Sequence, residues 1–110
     1  MIRPDSKLRV WWLPQVGVSK TFYVPVKDPE EAYKTTCMLA FYDCFLENNS
    51  IRGDYANTGG LEYFDVEENQ WFNWYFDDGD KFYEDLDEYI INEHPEILEF
   101  RDKLASQVKF

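Results

Sequence analysis

The sequence predicts an α+β fold in the order β-β-α-β-β-α-α: a four-stranded antiparallel sheet packed on one long helix, with C-terminal helices. Three observations predict it. Two bulky, β-favouring runs precede a complete helix-start signal. Two aromatic runs flank a short polar turn. An apolar stripe at helical spacing follows near the end of the chain. With 110 residues and no linker-like stretch or internal repeat, residues 1–110 read as a single domain.

Lys7 to Pro14 is the first strand, bulky and partly alternating, with Pro14 as its stop. Gln15 to Lys20 contains Gly17 and reads as a turn. Thr21 to Val26 is the second strand, and Pro25 within it points to an edge position or a strand end, because proline cannot donate to a ladder. The two strands read as a hairpin. Asp28 then supplies an N-cap, Pro29 suits the first helical position, and Glu31 completes a capping box. The helix runs to about Asn48. Tyr33, Cys37, Ala40, Phe41 and Cys44 form its apolar stripe, and Met38, Tyr42 and Phe45 widen it. Ile51 to Gly60 is an irregular loop. Leu61 to Val66 is the third strand, Glu67-Glu68-Asn69 the turn, and Gln70 to Phe76 the fourth strand. Asp77 to Asp80 is a further turn, with Asp80 as the cap of a helix whose stripe is Phe82, Leu86, Tyr89 and Ile90. Pro95 starts the last helix, with Ile97, Leu98, Phe100, Leu104 and Val108 among its residues.

Charge is distributed unevenly. Residues 1–61 hold seven acids and seven bases, and residues 94–110 hold three of each. Residues 62–93 hold twelve acids and one base, Lys81, so that third of the chain carries the whole net charge of −11. Such a block repels nucleic acid and anionic membrane and attracts basic partners. An aromatic content of 19% argues against disorder. The sequence shows neither a secretory h-region nor an apolar run long enough to span a bilayer, so a cytoplasmic setting is expected. Cys37 and Cys44 lie about 10 Å apart along one helix, too far for a disulfide, and read as free thiols.

Chemical motifs are sparse. The one histidine, His94, precedes Pro95 and reads as a capping or solvent-facing residue rather than the partner of a catalytic cysteine. Asp77-Asp78-Gly79-Asp80 with Glu84 has calcium-like composition, but its glycine falls at the wrong position for an EF-hand loop, and a turn is the plainer reading. One histidine and two cysteines are too few for a structural zinc site. Gly59-Gly60 precedes a strand rather than a helix and so lacks the phosphate-loop context. No serine lies in a nucleophile motif. The expectation is a binding protein, not an enzyme, with no cofactor and no metal.

The acidic, aromatic segment is the candidate site. Its bland reading is a solvated helix face and a soluble hairpin. The sharper reading is a docking face formed by Glu67, Glu68, Trp71, Trp74, Asp77, Asp78, Asp80, Glu84, Asp85, Asp87 and Glu88. Trp11, Trp12, Tyr63, Trp71, Trp74 and Tyr75 are more large aromatics than a small core readily hides, and Trp and Tyr anchor interfaces. Carboxylates beside aromatic rings suit Arg and Lys, and an array of them can stand in for DNA phosphates. The expected partner is a protein with a basic surface, with no direct nucleic acid or membrane contact. An alternative is a small-ligand pocket, for example for a nucleotide signal, lined by Trp11, Trp12, Tyr55 and Asn57. A homodimer through aromatic strand faces is compatible with either.

Val10-Trp11-Trp12-Leu13-Pro14-Gln15-Val16, Phe22 to Val26 and Asp54 to Leu61 resemble a group of small acidic proteins encoded by tailed bacteriophages, some of them labelled superinfection-exclusion proteins. The resemblance covers residues 8 to about 76 and carries no catalytic motif. It implies the cytosol of an infected bacterium, where small acidic phage proteins block host defence proteins.

Overall fold

The computed structural model describes residues 2–13, 20–48 and 58–108. Its strands are β1 (Leu8–Leu13), β2 (Phe22–Val26), β3 (Thr58–Asp65), β4 (Gln70–Asn73), β5 (Phe76–Asp77) and β6 (Phe82–Tyr83). Its α-helices are α1 (Pro29–Asn48), α2 (Leu86–Glu93) and α3 (Leu98–Ala105), with 3₁₀ turns at Pro95–Ile97 and Ser106–Val108. β1 to β4 form one antiparallel sheet in the order β2-β1-β3-β4, while β5 and β6 form a separate two-stranded ribbon. The predicted α+β architecture is therefore present, and β2, the strand containing Pro25, lies at a sheet edge.

Alternation along the strands assigns the two faces. Leu8, Val10 and Trp12 of β1 are buried, as are Leu61 and Tyr63 of β3, and α1 packs over this side. Ala32, Tyr33 and Cys37 of α1 meet them, and α2 and α3 pack in turn on α1, contributing Tyr89 and Ile90. The start of α1 is held as its sequence predicts. The Glu31 amide donates to Asp28 Oδ1 at 2.7 Å, and Glu31 Oε1 accepts from the Lys27 amide at 3.1 Å. The opposite face of the sheet carries Arg9 stacked between two rings, 3.9 Å from the Tyr23 centroid and 4.1 Å from that of Trp71. Glu62 Oε1 accepts from Arg9 Nε at 2.8 Å, so the guanidinium is neutralised where it stacks.

The structure corrects several expectations. The fourth strand stops at Asn73 instead of Phe76, because Trp74 turns into the core, 6% exposed and edge-on to Tyr89 at 5.2 Å. The chain then leaves the sheet and pairs Phe76 and Asp77 with Tyr83 and Phe82. Phe82 thus belongs to a strand rather than a helical stripe. The cap of α2 is Asp85, whose side chain accepts from the Asp87 amide, and not Asp80. The last helix opens with a 3₁₀ turn at Pro95. Met38, Tyr42 and Phe45 do not extend the buried stripe of α1. They are 48%, 60% and 42% exposed and border an outer groove with Leu104. The third strand begins at Thr58, so Thr58 to Gly60 leave the predicted loop; residues 51–57 of that loop, and the Gln15–Ser19 turn, lie outside the described residues. Neither cysteine forms a disulfide among the described residues; Cys37 is buried and Cys44 half-buried.

Two glycines permit the β1–β3 pairing. A Cβ on Gly59 would lie 2.3 Å from Trp12 Cε3 and 2.8 Å from the Trp11 carbonyl oxygen. One on Gly60 would lie 2.7 Å from Trp11 Nε1. Each indole therefore lies against a residue without a side chain, one on each face. Gly59→Ala is expected to lower the unfolding free energy by about 1–3 kcal/mol, the usual cost of overpacking, as read by urea denaturation. An unchanged denaturation midpoint would show that the indole is free to move aside.

Candidate functional site

The twelve acids of residues 62–93 separate into two groups. Four are engaged within the fold. Glu62 pairs with Arg9, Glu67 with Arg3 at 2.7 Å, and Glu93 with Lys81 at 3.1 Å. Asp65 Oδ1, buried beneath the β3–β4 turn, accepts from the amides of Glu67 and Glu68. The other eight are exposed and form no ion pair with a base among the described residues. Glu68 is one, on the β3–β4 turn with Glu67, at the opposite end of β4 from the ribbon. The remaining seven, Asp77, Asp78, Asp80, Glu84, Asp85, Asp87 and Glu88, occupy the ribbon and the first turn of α2.

Local backbone chemistry creates this acidic edge. Asp77 Oδ1 accepts from the Gly79 amide at 2.9 Å. Asp78 Oδ1 accepts from the Asp80 amide at 2.9 Å and the Lys81 amide at 2.6 Å, folding the turn around Gly79, whose φ is +88°. The amides of Lys81 and then Asp80 hold the Asp78 carboxyl below its ordinary range. Asp85 caps α2, and Asp87 and Glu88 fall in the first turn, where the helix dipole favours negative charge. Lys81 and the Tyr83 hydroxyl both donate to Glu93 Oε2, at 3.1 and 3.0 Å, which ties the ribbon to the far end of α2.

Beside this edge lies an open cleft of about 810 Å³, at the end of the sheet where β1 and β4 finish and β3 begins. Trp11, Trp12, Trp74, Tyr75 and Phe82 supply its aromatic surface. Glu84, Asp85 and Asp87 line it from the β6–α2 connection, and Arg101 of α3 from the other side. Burial first, then neighbouring Asp85, raises the Asp87 carboxyl above its ordinary range. Trp12 Nε1 donates to buried Asp43 Oδ2 at 3.1 Å, fixing that indole against α1.

The expected docking residues are thus only partly brought together. The seven carboxylates from Asp77 to Glu88 share one edge, while Glu67 and Glu68 stand apart. Trp71 is half-buried on the open sheet face, and Trp74 is a core residue that reaches the cleft. Of the alternative pocket, Trp11 and Trp12 line the cleft; Tyr55 and Asn57 lie outside the described residues. Sequence reasoning missed Arg101 and Tyr33 as cleft residues, because only tertiary packing brings α3 and α1 beside the β6–α2 connection.

His94 Nε2 lies 2.7 Å from Glu30 Oε1 and 3.1 Å from the Tyr89 hydroxyl, joining the start of α1 to the end of α2. Burial pushes the Cys37 thiol up from its ordinary value, which keeps it protonated and weakly nucleophilic at neutral pH. Among the described residues, no three His, Cys, Asp or Glu side chains are grouped to hold a metal ion. None of the described helices is long and apolar enough to cross a membrane.

Fold and site together define a small, acidic α+β protein with an exposed carboxylate edge beside an aromatic cleft. Comparison with known proteins is specific. The chain belongs to the family described as superinfection exclusion gene product 17, which it matches over residues 7–95. It is 37% identical over 98 aligned positions to the superinfection exclusion protein of Salmonella phage P22, a match covering 74% of this chain and 94% of that protein. No solved structure matches the chain. The family match confirms the likeness to small phage proteins and extends it past residue 76 through the acidic edge. It makes the chain a bacteriophage-type protein, and the family's description names no enzymatic activity.

The Lys81 bond, then that from Tyr83, holds the Glu93 carboxyl below its ordinary range. A lowered folded pKa means that this contact contributes fully above the unfolded-state carboxylate value and is lost as pH falls through the depressed one. Acid titration followed by NMR is therefore expected to release the ribbon from α2 only below the ordinary glutamate range, and Glu93→Gln to abolish that step. Release at or above the ordinary value would contradict the Lys81–Glu93–Tyr83 arrangement.

Proposed function

We propose that this chain acts against other phages or host processes by docking its acidic edge, residues 77–88, on a basic surface of a protein in the infected bacterial cytosol. One observation carries the reading. Seven carboxylates are exposed on one ribbon and helix start without an ion pair to a base among the described residues, while Glu62, Glu67 and Glu93 elsewhere in the same block are paired. Five of the seven also serve the turn, the cap of α2 or its dipole, but Asp80 and Glu84 extend the same edge with no such local role, and a steering surface gains from that concentration. The partner's cationic surface is of the kind that otherwise contacts nucleic-acid phosphates, so the edge competes for it as a phosphate substitute. The name of the phage P22 relative supports the setting, namely exclusion of a second infecting phage.

Asp80 and Glu88 are suitable residues for a test. Asp77, Asp78 and Asp85 are unsuitable because each carboxylate accepts a backbone hydrogen bond that shapes the turn or caps α2. Asp80→Lys with Glu88→Lys is expected to weaken capture of the partner from bacterial lysate by about tenfold or more. Raising salt to about 0.5 M should weaken wild-type capture in the same direction. The variant's thermal unfolding should shift only slightly, because only the helix-dipole contribution of Glu88 is lost, about 0.3–1 kcal/mol. Capture that is indifferent to both salt and charge reversal would exclude electrostatic docking.

A further inference from the structure

The cleft at the sheet end holds the ingredients of a cation receptor. Its aromatic surface comes from Trp11, Trp12, Trp74, Tyr75 and Phe82, and three carboxylates and one guanidinium share its lining. That guanidinium is engaged elsewhere. Arg101 lies 3.5 Å from Asp102 Oδ1 and forms no salt bridge with Glu84, Asp85 or Asp87, acting on Asp87 only through its field. The net negative lining disfavours the phosphates of a nucleotide, so the nucleotide-signal alternative loses its electrostatic basis. Cations are favoured, and planar ones most, because a guanidinium can stack on a ring while bonding a carboxylate side-on.

The molecule contains this arrangement in completed form. On the open sheet face, Arg9 stacks at 3.9 and 4.1 Å between Tyr23 and Trp71 and bonds Glu62 at 2.8 Å. Rings and carboxylates are likewise juxtaposed in the cleft, but there no base among the described residues forms an ion pair with Glu84, Asp85 or Asp87, and Arg101 acts on Asp87 only at longer range. The cleft volume, about 810 Å³, accommodates an arginine side chain with its flanking backbone. We propose that the cleft receives the guanidinium of an arginine side chain presented by the docked protein, with Glu84 and Asp87 as the accepting carboxylates and the aromatic wall as the stacking surface. This rests on the docking reading above and names the contact at its centre.

The probe is N-acetyl-arginine amide, titrated into the full chain while the indole N–H resonances are followed by NMR. Saturable shifts at Trp11, Trp12 and Trp74 are expected, with no comparable response to the neutral N-acetyl-citrulline amide. Glu84→Gln with Asp87→Asn should weaken binding at least about tenfold, since both accepting charges are removed. Asp80→Asn with Glu88→Gln should weaken it clearly less than Glu84→Gln with Asp87→Asn does, because neither residue lines the cleft, and the same pair is scored for partner capture. That contrast separates the two proposals: loss of partner capture with retained arginine binding leaves the cleft assignment standing by itself, and the reverse leaves only the docking edge. Equal binding of the citrulline compound, or no saturable shift, overturns the receptor. Agmatine binding more than tenfold tighter than the blocked arginine would overturn the protein side chain as the source and assign a free guanidino compound instead.

Discussion

The contact on which the rest of the structure depends is the passage of two adjacent tryptophans across two adjacent glycines. Trp11 and Trp12 are consecutive on β1, so their indoles leave the sheet on opposite faces. Opposite them in the register are Gly60 and Gly59, and only residues without Cβ let both rings lie down on β3. The inward ring fills the space beneath α1 and anchors Asp43 of that helix. The outward ring gives the cleft part of its wall. One four-residue crossing thus sets the β1–β3 register, the seating of α1 and the shape of the candidate site. A one-residue slip would exchange the two faces and bury Arg9 where Val10 is now.

Electrostatics follow from where the backbone needed acceptors. In the ribbon, Asp77 and Asp78 fold the turn at Gly79, and Asp85 starts α2. These three carboxylates have local structural roles. Asp87 and Glu88 gain from the helix dipole. Asp80 and Glu84 have neither a hydrogen bond to their carboxylates nor an ion pair among the described residues. In the docking proposal they are the charges left for a partner.

The first two strands and the start of α1 were legible because their signals are local. Pro14 and Pro25 bound or demote strands, and the Asp28–Pro29–Glu31 signature defines a helix start by hydrogen bonds that the structure contains. The stretch from Gln70 to Leu86 was misread for a physical reason. Every aromatic residue there favours a strand, and a run of them shows no periodicity to mark where the sheet ends. What ends it is tertiary: Trp74 has a core place against Tyr89, and strands of two residues are too short to announce themselves. The same limit hid the cleft. Its acids could be counted in sequence, but Arg101, Tyr33 and the Trp11–Trp12 pair join them only through packing of α1, α3 and the sheet end.

Arg9 and the cleft together show how one chain handles the same chemistry in two ways. On the sheet face, a cation, two rings and a carboxylate close upon one another, and the charge of Glu62 is spent inside the fold. At the sheet end, rings and carboxylates share one cleft beside the ribbon, whose position Glu93 secures through Lys81 and Tyr83. Lys81, the sole base of the acidic segment, is therefore used to hold the ribbon rather than to neutralise the edge. Lys81 could equally have paired with Glu84, Asp85 or Asp87, a few residues along the chain. Placing it instead on Glu93, at the far end of α2, preserves the negative edge and fixes the strand pair that carries it.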